Sequence, residues 1–364
     1  MKINRLNTPE FVVNSAICKR NIEKMVLKAK ASGSVFRPHF KTHQSGEIGE
    51  WFRAEGVRAI TVSSVSMAEY FAGKGWDDIT IAIPFNIRES ENLNALAEKI
   101  SVNIIVDDAG VISVIDSSLS NPVGLFLKID CGYHRTGIDV DNSFEISKAL
   151  DAAKDCTNLE FKGFLTHSGH TYHAGSVDEI RKIHQHVVTK MKRLKQRWSI
   201  TFPQAIISLG DTPSMSVVDD FSGIDEIRPG NFVFYDLMQA SAGVCKYDDI
   251  AVAVSAPVIG KYPGRNQIVV HCGGVHLSKE PLEIKGNKVF GKVVFLNDSG
   301  WEIPQQDIFV TSLSQEHGTI NIPSDILKTI NYGDLLGILP VHSCMTADCY
   351  QRYISVDGEL IERL

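Results

Sequence analysis

No stretch of the chain approaches the ~18 consecutive apolar residues of a membrane span, which excludes a helical membrane protein. Nor does it have a long run of charge of one sign: 37 Lys and Arg stand against 43 Asp and Glu, a net of −6. Gripping nucleic acid or an anionic membrane takes a basic stripe that displaces counterions, so neither is expected as a partner. Cysteine is scarce and odd in number, seven in all, at Cys18, Cys131, Cys156, Cys245, Cys272, Cys344 and Cys349. Such a scattered, unpaired set is no disulfide scaffold and fits a reducing compartment. Residues Met1 to Pro9 include Asn4, Arg5 and Asn7 and lack the apolar core of a secretion signal, so the expected location is the cytoplasm. Heptads, low-complexity tracts and short repeats are absent as well.

What is present is the composition of a folded enzyme, 43% apolar and 22% charged over 364 residues. At about 150 residues per domain, that length makes two to three domains, or one large barrel with a smaller module. Short β-rich runs occur at Val35 to Phe40, Arg58 to Ser63, Ile79 to Ile83, Asn103 to Asp107, Val123 to Ile129, Phe161 to His167, Ala205 to Leu209 and Asp225 to Arg228. Between them lie stretches with apolar residues every three or four positions, such as Ile17 to Ala31, Ser66 to Ala72, Glu89 to Lys99, Phe144 to Ala153 and Val177 to Arg197. The repeating strand–helix unit predicts an α/β fold, a (β/α)8 TIM-type barrel, with an open doubly wound sheet as the competing arrangement. After Val244 the pattern changes to strands joined by Gly, Pro and Asn turns, at Ile250 to Lys261, Gln267 to His271, Gly286 to Phe295, Ile308 to Ser312 and Tyr353 to Val356. The expected division is a barrel over 15–244 and a mostly β domain from 1–14 with 245–364. Thr8 to Asn14 is β-branched and could pair with either.

Polar, Gly-rich or ionisable clusters fall at the carboxyl ends of five of the eight runs, where a barrel's loops converge on one mouth. Lys41 leaves the first run between His39 and His43. A lysine in a loop is usually a solvated surface group, but burial and cationic neighbours lower its pKa and make it a nucleophilic amine that condenses with carbonyls. The turns Gly210 to Ser214 and Gly230-Asn231 follow strands seven and eight, the common place for a phosphate in a barrel. A reactive lysine facing a phosphate cup suits pyridoxal phosphate, which has one aldehyde and one phosphate.

Six motifs then carry a resemblance: Arg-Pro-His-x-Lys-Thr-His at 37–43, His-Arg-Thr-Gly at 134–137, His-Ser-Gly-His-Thr-Tyr at 167–172, Arg-Pro-Gly-Asn at 228–231, Gln-Glu-His-Gly at 315–318 and His-Ser-Cys-x-Thr at 342–346. Together, in this order and from about Thr8 onward, they resemble the D-serine dehydratase and D-threonine aldolase family. Those enzymes have the alanine-racemase type of pyridoxal phosphate fold, a barrel followed by a β domain. The resemblance implies that Lys41 is the Schiff-base lysine, that Arg135 approaches the phenolic oxygen of the cofactor, and that His167 and Tyr172 flank its ring. It also implies that Gly210, Thr212, Gly230 and Asn231 hold the phosphate. His342 and Cys344 match the pair that binds the family's divalent metal, and a thiolate makes zinc the expected ion. Read as a strand, residues two apart share a face, so both side chains reach one ion; the bland alternative is a strand edge with a buried Cys.

The implied activity is elimination from a D-β-hydroxy amino acid such as D-serine, giving a 2-oxo acid and ammonia. The lysine amine removes the α proton and zinc assists the leaving hydroxyl. Retro-aldol cleavage to glycine and an aldehyde is the alternative, racemisation a third outcome, and a non-enzymatic pyridoxal phosphate carrier the outside reading. The fold it resembles commonly completes its site across a subunit interface, so a homodimer is expected. Gln44 and the segment Gly273-Gly274-Val275-His276 depart from the family's pattern, where lysines are common, and Asp348 and Cys349 lie near the metal pair in sequence. No role follows from the sequence for Gln44, His276, Glu316, His317 or Asp348.

Overall fold

Strands buried along their whole length need cover on both faces. In the computed structural model, which describes residues 3–364, a barrel provides it. Eight parallel strands run in chain order as Val35–Phe36, Ile60–Val62, Asp78–Pro84, Ser101–Val106, Val123–Asp130, Leu159–Thr166, Ile206–Leu209 and Glu226–Ile227. From the second onward each pairs in parallel with the next, and the last pairs with the first. The ring closes between strands one and two through a parallel bridge, His39 with Thr61, where the Thr61 N–H donates to the Pro38 carbonyl at 2.9 Å. That bridge decides for the (β/α)8 barrel over the open sheet. The fifth strand is buried at all eight positions, which is why it reads as an unbroken apolar run.

Three helices had no visible periodicity: Gly46–Ala54, Ala109–Ser118 and Thr212–Val217. They are short, and glycine, serine and proline dilute their apolar stripes. Each nevertheless starts at a side-chain cap, Ser45, Asp108 and Asp211 respectively, accepting from an N–H of the first turn. Gly163 marks a place where the barrel leaves no choice of residue. Its φ is +152°, and a Cβ there would lie 2.1 Å from the Ile206 carbonyl oxygen on the neighbouring strand.

The chain forms two compact units, 23–230 and 3–22 with 231–364. The division lies nearer the barrel than the change of sequence texture at Val244. Residues 231–244 look helical and loop-like, yet they bond to residues that flank strands of the β unit: Met238 N–H to the Val341 carbonyl, and the Ala251 N–H to the Phe234 carbonyl. Residues 15–22 bond into the same unit through Asn21, which donates to the carbonyls of Val233 and Asp249. The stretch left open in sequence is the strand Phe11–Val13. It pairs antiparallel with Val252–Tyr262 and parallel with Arg352–Ser355, within a ten-stranded sheet. Strands that the sequence pattern missed are Leu282–Ile284, Gly300–Glu302, His317–Asn321, Leu335–Pro340 and Leu360–Glu362, most of them only three residues or Gly-interrupted. Among the described residues no helix is long and apolar enough to cross a membrane.

Candidate functional site: a lysine in the barrel and a His–Cys pair in the β unit

Pro38 ends the first barrel strand early, and Phe40–Thr42 turns as a short 3-10 helix that presents Lys41. His39 starts that turn, its Nδ1 accepting the Lys41 N–H at 3.4 Å. Lys41 is exposed, against the expectation of a buried amine, because the turn carries it out of the strand while Phe40 and Thr42 point inward. Its charge reaches both His39 and His167. Burial first, and then the charges of Lys41, Arg228 and neighbouring imidazoles, hold His39 well below the usual histidine range. His167 is also held well below it by burial, against the opposing hydrogen bond to the Gly210 carbonyl; Lys41, Arg135 and Lys128 reinforce the burial effect. That bond, 2.5 Å from Nδ1, takes the ring proton and leaves Nε2 of a neutral imidazole as an acceptor.

The two glycine turns are closely packed. A Cβ on Gly230 would lie 2.8 Å from the His39 carbonyl oxygen, and one on Gly210 2.8 Å from Arg228. Backbone is therefore all that these positions offer to a ligand. Beside them Thr212 Oγ1 is buried with no hydrogen-bond partner among the described residues, as is Ser168 Oγ, while the Ser214 hydroxyl is engaged by Asp211. Buried hydroxyls are rarely left so, and a cup of orphaned hydroxyls with side-chain-free turns fits a phosphate. Tyr172 belongs to this cup: its hydroxyl accepts the Thr212 N–H at 3.2 Å, while its ring centroid is 6.2 Å from that of His167. Arg135 is exposed and lies over the Tyr133 ring at 5.2 Å.

Arg228 is a residue that the sequence showed only as part of a motif. It is buried, and its guanidinium donates to Ser208 Oγ and to the Thr166 carbonyl, both at 2.6 Å. Ser208 in turn donates to Glu226, which Arg37 holds at 2.5 Å, and Arg37 is bound by Asp78. A chain of ionic groups, buried from Arg37 through Glu226 to Arg228, therefore fixes one cation beside His39 and Gly210. Burial pulls its pKa down to about 10, with Arg37 adding to the fall and Glu226 and Asp211 opposing it.

In the β unit the strand reading of the metal pair is corrected. The strand Leu335–Pro340 ends before His342, which is the extended N-cap residue of a short helix, Ser343–Ala347, with Cys344 in its first turn. The side chains still meet, because a hydrogen bond joins His342 to Cys344. His342 Nδ1 is 2.9 Å from Glu280 Oε2. Burial lowers the His342 pKa, but the bonds to Cys344 and Glu280 and the charges of Cys344 and Asp236 outweigh it and push it up to about 11. A proton shared between an imidazole and a thiolate is what a divalent cation replaces. With Nδ1 held by a carboxylate, Nε2 is the nitrogen left for the ion.

Asn231, expected at the phosphate, spends its side chain here: Nδ2 donates to Asp236 at 2.7 Å, Ser343 Oγ at 2.9 Å and Cys344 Sγ at 3.5 Å. Any phosphate contact falls to its backbone N–H. Asp236, buried, also accepts from the Ser343 N–H, so it pins the start of the helix that carries Cys344. Asp348 pairs with Arg363 at 2.6 Å and Cys349 donates to the Met345 carbonyl, so both have partners outside the His342 and Cys344 pair. Sequence reasoning had no way to find Glu280 or Asp236, which lie 62 and 107 residues from their partners with no spacing rule to join them.

This fold defines an alanine-racemase-like pyridoxal phosphate enzyme, a class built of a (β/α)8 barrel with a β domain. The family described as alanine racemase, N-terminal domain, matches residues 13–237, and the putative serine dehydratase domain matches residues 251–356. The chain is 32% identical to a D-serine dehydratase of Dictyostelium discoideum, over 99% of this chain and 96% of that one. The D-threo-3-hydroxyaspartate dehydratase of Delftia sp. HT23 superposes with a TM-score of 0.90 at 26% identity, covering 100% of this chain and 99% of that one. A Cys-to-Ala variant of that enzyme is known in a metal-free form. A 3-hydroxy-D-aspartate aldolase of Paracoccus denitrificans is 25% identical over 100% of this chain and 92% of its own. The chain belongs to the D-serine dehydratase and D-threonine aldolase family, and it is a lyase.

Proposed function

We propose that the protein is a pyridoxal phosphate- and zinc-dependent dehydratase that converts a D-β-hydroxy amino acid, of which D-serine is the simplest, to a 2-oxo acid and ammonia. The observation that carries the reading is the His342 and Cys344 pair with Glu280 on the far side of the imidazole. In its support stand the dehydratase names of the relatives with 32% and 27% identity. Pyridoxal phosphate, when bound, makes the α-carbon acidic by drawing its electrons into the ring. Lys41 would hold its aldehyde, and the Gly210 to Ser214 and Gly230 turns its phosphate. The amine of Lys41, once free, is the base for the α proton, and its exposure lets it move. Neutral His167 offers Nε2 as an acceptor, and the ionic chain behind Arg228 keeps that cation from shifting as charge develops. His342 Nε2 and Cys344 Sγ would hold the divalent ion, whose Lewis acidity helps a hydroxyl depart; a thiolate ligand favours zinc over harder ions.

Retro-aldol cleavage to glycine and an aldehyde is the second reading, favoured by the aldolases among the relatives. A panel of D-β-hydroxy amino acids, with 2-oxo acid, ammonia, glycine and aldehyde all quantified, separates the two. Release of 2-oxo acid and ammonia in equal amounts is expected, and glycine with an aldehyde as the main products would overturn it. We also take the active form to be a homodimer. All seven cysteines are free, in keeping with a reducing cytoplasm.

A further inference from the structure

We infer that His271, His276 and Glu316 form a second cation site, sharing no ligand with the His342 and Cys344 pair. His271 ends the strand Gln267–His271 and lies opposite His317 in the antiparallel ladder with His317–Asn321, which brings Glu316, one residue earlier, beside it. Three residues after His271 the chain enters the short helix Gly274–Leu277, which carries His276. The backbone frame is tight. Gly274 and Val275 donate to the carbonyls of Ser314 and Gln315, at 2.8 and 3.3 Å. A Cβ on Gly273 would sit 2.2 Å from the Gln315 oxygen, and one on Gly318 2.7 Å from the Cys272 oxygen. The two glycines allow a backbone approach that no other residue permits, and that approach gathers the three side chains.

Glu316 Oε2 is 3.7 Å from His271 Nε2 and 3.9 Å from His276 Nε2. The two rings cross at 87° with centroids 5.4 Å apart, and one ligand atom from each of the three residues lies within 4.8 Å of the others. These separations are too long for hydrogen bonds. Around one ion with ~2.1 Å bonds at tetrahedral angles, ligand atoms stand about 3.4 Å apart, so the two Glu316 contacts close by a few tenths of an ångström while the two imidazoles turn toward each other from within 4.8 Å. Gln315 Nε2 donates to Glu316 Oε1 and leaves Oε2 facing both imidazoles. His276 presents Nε2 to that oxygen. Its Nδ1 accepts the Gly273 N–H at 3.1 Å, so coordination through Nε2 moves the ring proton to Nδ1 and releases that N–H. Side-chain exposures of 36%, 18% and 46% leave the cluster open to ions and water. Two imidazoles and one carboxylate suit zinc, cobalt, nickel or ferrous iron, whereas calcium and magnesium prefer all-oxygen sets.

Cobalt(II) titration of the full-length Cys344→Ala variant tests this by stoichiometry and colour, independently of turnover. Equilibrium dialysis should give one bound cobalt with visible d–d bands and no thiolate charge-transfer band. Adding Glu316→Gln should weaken that binding at least a hundredfold, as should adding His271→Asn, with circular dichroism showing that each variant is folded. Wild type should bind one equivalent more than Glu316→Gln alone. The site is overturned if Cys344→Ala binds no cobalt, or if the added Glu316→Gln and His271→Asn substitutions leave its affinity and bands unchanged.

Discussion

At the scale of single residues, the proposed chemistry rests on two nucleophilic groups, the Lys41 amine and the Cys344 thiol, and on the groups that aim them. Borohydride reduction of the holoprotein followed by peptide mapping should place the pyridoxyl adduct on Lys41; an adduct on any other lysine would refute its role. Cys344→Ala should lose most bound zinc and most dehydration while the cofactor's visible absorbance persists, since the phosphate cup and Lys41 lie in other parts of the chain. Zinc added after chelation should restore wild type but not the variant. Glu280 acts one bond further out. With the Nδ1 contact at 2.9 Å gone, Glu280→Ala leaves His342 free to rotate and to change tautomer. Loss of such an outer carboxylate weakens metal binding by about 10- to 100-fold, which a zinc competition titration reads directly. An unchanged affinity would mean that Glu280 merely neutralises charge.

At the scale of elements, the long helix Val177–Trp198 shows how burial makes the barrel sensitive to acid. His184 faces inward on it, its Nδ1 without a hydrogen-bond partner among the described residues, and burial pulls its pKa down to about 4. Its folded pKa lies below the unfolded value of about 6.5, so the unfolded chain binds more protons between those limits. Stability is therefore complete above pH 6.5 and is lost as pH falls toward 4, by about 3 kcal/mol at most from this residue. His43, stacked on Phe52 and pulled down to about 3 by burial, acts in the same direction. Thermal midpoints of wild type and His184→Leu measured from pH 7.5 to 4 should diverge below 6.5, the variant falling less. Parallel curves would show that His184 is not part of the acid response.

At the scale of the whole molecule, two units built on different sheets each hold one half of the proposed chemistry. The barrel supplies a phosphate cup and a lysine, and the β unit supplies a His–Cys pair with its carboxylate. The family fold commonly completes its site between subunits, and that is the basis for taking a dimer as the active form. Light scattering over a dilution series, with turnover measured at the same concentrations, should show a twofold mass wherever the enzyme is active. An active monomer would refute it.

Eight apolar runs, the texture change near Val244, the strand-end clusters and the family motifs were all legible in the sequence, because burial pattern and chemical type are local properties of a chain. Lys41, the glycine turns and the His342 and Cys344 pair belong to that category. Other features arose only from tertiary contact. The bridge from His39 to Thr61 chooses a closed barrel, and the 3-10 turn lifts Lys41 out of burial. Asn231 goes to Asp236 and Cys344, and Glu280 reaches His342 across 62 residues. The same is true of His271, His276 and Glu316, which only the close backbone approach at Gly273 brings together. A sequence states which groups can bond; which of them meet depends on how strands close and chains cross, and no spacing along one segment encodes that.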